Sequence, residues 1–157
     1  MNKRAQFYMF AAIILISFVF VIVSNNSNIS KTNTKKYQTY LDNYKEEAII
    51  VINNAVYENK NISYELRNYT EYFISYATGK DLDIGLTYLY SNNNYIYIVN
   101  YLNYPVLINP FGINLEKNNE VKVNFNETIV VKYHNESYYF YFSRPDEIEF
   151  KTLFVGG

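Results

Sequence analysis

The chain has 157 residues, 49% of them hydrophobic, 19% aromatic and 18% charged, with a formal net charge of -1. That length suits one domain of ordinary size, and the balanced charge gives no general attraction to nucleic acid. The absence of cysteine and the single histidine exclude disulfides, thiolate catalysis, iron–sulfur clusters and Cys-ligated zinc, and leave little for triad chemistry.

The chain opens with two cations, Lys3 and Arg4. From Phe7 to Val23 there follow 17 residues with no charge and one aliphatic hydroxyl, Ser17. As a helix they extend about 25 Å. The hydrocarbon core is roughly 30 Å thick, and snorkelling or local thinning takes up the difference. The exit, Val21-Ile22-Val23-Ser24-Asn25-Asn26, lacks the small-residue cleavage site of a secretory signal. The pattern therefore predicts a retained transmembrane helix over 6–23 behind a basic leader, 1–5. Lys3 and Arg4 sit at the membrane edge, whereas the nearest cations beyond the span are Lys31, Lys35 and Lys36. The positive-inside rule then places the N-terminus in the cytoplasm and the rest outside, as a single-pass cell-membrane protein.

Lys3-Arg4-Ala5-Gln6, followed at once by an aromatic-rich apolar run, resembles the class III signal peptide of archaeal type IV pilin-like proteins. The resemblance covers about 20 residues, and the rest of the chain only as architecture. It implies cleavage by a prepilin-peptidase-like enzyme between Ala5 and Gln6, with the apolar segment left as the new N-terminal tail. It also implies a lollipop layout of apolar helix, further helix and β-rich head. Many members carry Glu at the fifth mature position, where this chain has Phe10.

Residues 24–36 read SNNSNISKTNTKK, with Ile29 the one apolar side chain. Asn, Ser and Thr compete with helical hydrogen bonding, so a solvated polar stalk is expected here. From Tyr37 the pattern changes. Tyr37, Leu41, Tyr44, Ala48, Val51 and Ala55 fall at helical spacing, with Ile52 and Val56 widening the stripe, and predict an amphipathic helix over 37–57. Ile62, Leu66, Tyr69, Phe73 and Tyr76 predict a second over 62–78, with Gly79 as its left-handed stop.

The remainder reads as strands, from 86 to 154. Leu86–Tyr90 and Tyr95–Tyr101 flank Ser91-Asn92-Asn93-Asn94, a hairpin signal because Asn tolerates positive φ. Asn109-Pro110-Phe111-Gly112 and His134-Asn135-Glu136-Ser137 read as further turns. Val121, Val123 and Phe125 alternate with polar residues, as do Ile129, Val131 and Tyr133. Tyr138–Phe142 follow, and Ile148, Phe150 and Thr152 alternate with Glu147, Glu149 and Lys151. The expected class is α+β: after the membrane helix, an amphipathic helix pair packed on an antiparallel sheet, together forming one extracytoplasmic head over 37–157.

Candidate chemistry is sparse. Asp81 and Asp83 share one side of an extended chain, as an acid/base or cation pair would, but no further liganding motif follows. Asp146, Glu147 and Glu149 read as a solvated face, and His134 as a turn residue without a partner. Tyr95, Tyr97, Val99 and Tyr101 on one strand, and Tyr138, Phe140 and Phe142 on another, form aromatic ladders. Such ladders fit half-buried packing better than base or sugar stacking. Six N-x-[ST] triplets begin at Asn25, Asn28, Asn61, Asn68, Asn126 and Asn135, against roughly 2.5 expected by chance, and mark candidate N-glycosylation sites on an exported chain.

The expectation is a membrane-anchored cell-surface protein, not an enzyme, with no catalytic, metal or cofactor site. It serves as a pilin-like structural or adhesive subunit of a type IV pilus-like filament. Its partners are membrane lipid, the processing peptidase and identical or related subunits, with no nucleic acid. The alternative is a single-pass protein whose ectodomain binds a ligand, glycan or protein without polymerising. A tethered hydrolase is a third reading, resting on Asp81 and Asp83.

Overall fold

The structure is a computed structural model and describes residues 37–156. The expected leader, membrane helix and stalk, with Ala5, Gln6, Asn25 and Asn28, lie outside the described residues. Among the described residues, no helix is long and apolar enough to cross a membrane. The chain divides into two units between Asp42 and Asn43, the second being Asn43–Gly157.

Two helices precede the strands. Residues 37–57 are helical (α1), and α2 spans Ile62–Thr78. On α1 the buried positions of the second unit are Tyr44, Ala48, Ile52 and Ala55; Val51 is half-buried and Val56 is exposed. On α2 they are Ile62, Leu66, Thr70, Phe73 and Ala77. The second stripe therefore turns slightly from the expected one, leaving Tyr69 half-buried and Tyr76 exposed. Thr70 can take a fully buried place because its hydroxyl is satisfied. It donates to Leu66 O at 2.7 Å and lies 2.9 Å from the Tyr44 hydroxyl, which therefore donates to it.

Asn61 starts α2 as its N-cap, its side chain accepting from Tyr64 N at 3.1 Å. Both helices stop by the same device. Asn59 takes φ 53, with Lys60 N bonded to Ala55 O and Asn59 N to Val56 O. Asp81 takes φ 57, with Leu82 N bonded to Ala77 O and Asp81 N to Thr78 O. These are Schellman closures. Gly79 is not the left-handed residue, since its φ of -65 is helical. The stop falls two residues later because there the next side chain, Leu82, is buried under the helix end, the apolar contact this closure favours.

Eight strands follow: β1 (Ile84–Asn92), β2 (Tyr95–Asn100), β3 (Val106–Asn109), β4 (Ile113–Leu115), β5 (Glu120–Asn124), β6 (Thr128–Tyr133), β7 (Glu136–Tyr141) and β8 (Phe150–Gly156). They form not one sheet but two, each four-stranded and antiparallel, in the orders β5-β2-β1-β8 and β4-β3-β6-β7. Leu89, Ile96, Ile98, Val123 and Leu153 of the first sheet join Val106, Ile108, Leu115, Ile129 and Val131 of the second in one core. The other face of the first sheet carries Tyr88, Phe150 and Phe154, which meet Tyr44, Phe73 and Tyr101. The head is thus a helix layer on a β-sandwich. Strand β1 is the middle of the middle layer and is buried on both faces from Ile84 to Ser91.

Two features fix the strand registers. Asn93 and Asn94 take φ 50 and 66 between Asn92 and Tyr95, the geometry a two-residue hairpin turn needs. Asn100, fully buried, satisfies its whole side-chain amide. Its oxygen accepts from Thr87 Oγ1 and Leu102 N, and its nitrogen donates to Tyr104 O and Leu115 O. That set ties the first sheet to β4 of the second.

Candidate ligand cleft

A cleft of about 320 Å³ lies where the start of α2 meets β1, β2 and β5. α2 contributes Asn61 and Ser63, β1 Tyr90 and Asn92, β2 Tyr97, and β5 Glu120, with Lys60 at the lip. Their placement follows from local rules. Capping holds Asn61 at the helix start, and strand alternation points Tyr90 and Tyr97 to the helix side. The register pairs Tyr90 with Tyr97 and Tyr97 with Lys122.

The two tyrosine rings stack at 4.8 Å and 5°. Lys122 Nζ stands 3.7 Å from the centroid of Tyr95 and 5.4 Å from that of Tyr97, closing the row with a cation. Ser63 donates to Glu120 Oε1 at 2.6 Å, so its oxygen accepts from the Tyr90 hydroxyl at 2.7 Å. This chain runs from sheet to helix to sheet edge. Burial pushes the Tyr90 phenol well above its ordinary range.

Other phenols under the helices are perturbed in the same direction. Burial raises Tyr44 and Tyr88 far above the usual tyrosine range, and raises Tyr69 and Tyr101 to about 12. Glu71, which accepts from the Tyr101 hydroxyl at 3.3 Å, adds to the rise at that residue. The Tyr88 hydroxyl is buried with no hydrogen-bond partner.

The arrangement suits recognition by hydrogen bonding. The cleft offers amides from Asn61 and Asn92, the Glu120 carboxylate, the Lys60 ammonium and a tyrosine floor. Ser63 already gives its proton to Glu120, and the histidine is elsewhere: His134, at φ 53 in the β6–β7 turn, packs edge-on against Tyr104 and Tyr133. Among the described residues, no group of three or more His, Asp or Glu side chains is placed to hold a metal ion.

The sequence candidates disperse over the head. Asp81 is an exposed helix-stop residue, whereas Asp83 lines a separate cavity of about 150 Å³ with Asn103 and Tyr133. Asp81 does not line it. Glu147 pairs with Arg144, and Glu149 accepts from Ser143 N and Lys151. Burial pushes the Glu149 carboxyl up, but these bonds outweigh it and hold it below its ordinary value. Of the aromatic ladders, Val99, Tyr101 and Phe142 are buried, and Tyr138 and Phe140 pack on the sandwich core.

Four acceptor asparagines are described. Asn61 and Asn135 are exposed, at the N-cap and at the β6–β7 turn. Asn68 is exposed on α2, but the Thr70 of its triplet is buried. Asn126 is half-buried and accepts from Thr128 N. The cleft brings together Ser63, Tyr90 and Glu120, which stand 27 and 57 residues apart, so no spacing motif marks them. The one local hint is that Ser63 closes the Asn61 triplet. No family model, curated protein or solved structure matches the chain.

Proposed function

We propose that this chain is a membrane-anchored cell-surface protein of the archaeal type IV pilin-like kind. Segment 6–23 is the anchor or filament-core tail, and the head is displayed outside the cell. One observation carries the reading: the junction Lys3-Arg4-Ala5-Gln6 stands directly before an uncharged run of 17 residues. The helix-then-strand order of the head supports it. N-terminal sequencing of the native protein tests it: the mature chain begins at Gln6. A retained Met1, or a start near Asn25, defeats processing by a prepilin-peptidase-like enzyme.

A second reading keeps the anchor and replaces polymerisation by ligand capture. The polar cleft at the start of α2 favours it, as does Phe10 in place of an acidic residue that could pair inside a filament core. Purified surface filaments separate the two readings. A stoichiometric filament component supports the first, and a chain confined to the membrane fraction supports the second. If filaments form, Ile14→Asp abolishes them, because a lone charge in an apolar bundle costs several kcal/mol. Normal filaments in that variant refute an assembly role for the tail.

A further inference from the structure

Four strands lie at the edges of the two sheets: β4, β5, β7 and β8. Edge strands template pairing with other chains unless they are short, charged or covered. β4 has three residues, β5 carries Glu120 and Lys122, and β8 carries Lys151. β7 reads ESYYFY and, past Glu136, has no charge, no proline and no glycine. It is the edge without such a device.

The phase of its ladder shows which residues face out. Phe142 N donates to Glu127 O at 2.9 Å, and the β6–β7 register continues that pairing. Antiparallel partners alternate between bonding inward and turning their backbone away. Tyr138 and Phe140 therefore bond β6, while Ser137, Tyr139 and Tyr141 present N–H and C=O to the open side. No described residue takes up those outward groups. The Tyr139 and Tyr141 side chains are 60% and 65% exposed.

We propose that β7 is a dimerisation edge, paired antiparallel with β7 of a second copy of this chain about a two-fold axis at Tyr139. Ser137, Tyr139 and Tyr141 are symmetric about that point. In this register Tyr139 faces Tyr139 of the second copy and Ser137 faces Tyr141, so every outward backbone group finds its complement. A second copy fits because the strand is self-complementary in charge as well. Ser137 through Phe142 carry none, and Glu136 falls opposite Phe142 rather than another carboxylate. The second sheet then runs on through both copies. The pairing does not depend on membrane anchoring or filament formation.

The absence of cysteine makes the test direct. Tyr139→Cys introduces the sole thiol, and facing residues in a bonded antiparallel pair have Cα atoms about 5.5 Å apart, within disulfide reach. Mild oxidation of the full-length chain in micelles gives a covalent dimer at roughly ten times the yield of Asn94→Cys, a thiol at the exposed turn of the other sheet. Tyr139→Lys, which sets two cations on the axis, converts dimers to monomers in analytical ultracentrifugation. Cross-linking no better than in Asn94→Cys overturns the proposal. If Tyr139→Cys fails to fold by circular dichroism, a mixture of Ser137→Cys and Tyr141→Cys chains probes the same register. A mixture that cross-links no better than Asn94→Cys is equally fatal.

Discussion

Two buried tyrosines in the same layer differ in one hydrogen bond, and that difference sets opposite expectations for them. The Tyr44 hydroxyl donates to Thr70, whereas the Tyr88 hydroxyl has no partner. Burying an unpaired hydroxyl costs free energy that Phe does not, so Tyr88→Phe leaves stability unchanged or raises it by about 1 kcal/mol. Tyr44→Phe lowers it by about 1 kcal/mol, because the bond is lost and the ring stays. Chemical denaturation of the two variants against the parent chain measures both, and a larger loss at Tyr88 contradicts the assignment. The burial of both tyrosines follows from their place on an apolar stripe and a strand. Which one finds a partner depends on Thr70, a polar residue the apolar stripe passes over.

Among the elements, helix ends and the join between sheets carry the clearest tests. Gly79 is helical and a Cβ there meets only Tyr76 O and Ser75 O, at 3.5 and 3.6 Å, so Gly79→Ala stabilises by about 0.5–1 kcal/mol. Asp81 pays the left-handed penalty, so Asp81→Gly raises stability by about 1 kcal/mol. Thermal melts of these two variants decide where α2 ends; if Gly79→Ala is the damaging one, the left-handed stop is at Gly79. Asn100 is the opposite case. Asn100→Leu strands Thr87, Leu102 N and two carbonyls, and costs about 3 kcal/mol or more, measurable as a lowered denaturation midpoint. Helix extents were legible from periodicity, since 37–57 and 62–78 are where the helices lie. The stop residue was not, because Gly and Asp compete locally and the burial of Leu82 breaks the tie.

Over the whole molecule, the tyrosine layer between helices and first sheet couples folding to alkaline pH. A raised phenol pKa means the folded state holds its proton more tightly than the unfolded chain, where the value is about 10. The associated stability is complete below that value and is lost as pH rises through the folded values, about 12 for Tyr69 and Tyr101 and higher for the deeper rings. The head therefore unfolds cooperatively in alkali within or above this window. Tyrosinate absorbance rises together with the loss of circular dichroism. Titration of these phenols with the fold intact contradicts the layer.

The features legible in the chain alone are local. The two helix spans, the Asn-rich hairpin and the exclusion of thiol chemistry are of this kind. Each of these depends on side chains a few residues apart, where helix and strand periods act. Packing between distant segments divides the strands into two sheets, returns β8 to β1, and lines one cleft with Ser63, Tyr90 and Glu120. Alternation tells which face of a strand is dry, but not which other dry face covers it. That choice is made by burial summed over the whole core, and β1, buried on both faces, is where it is settled.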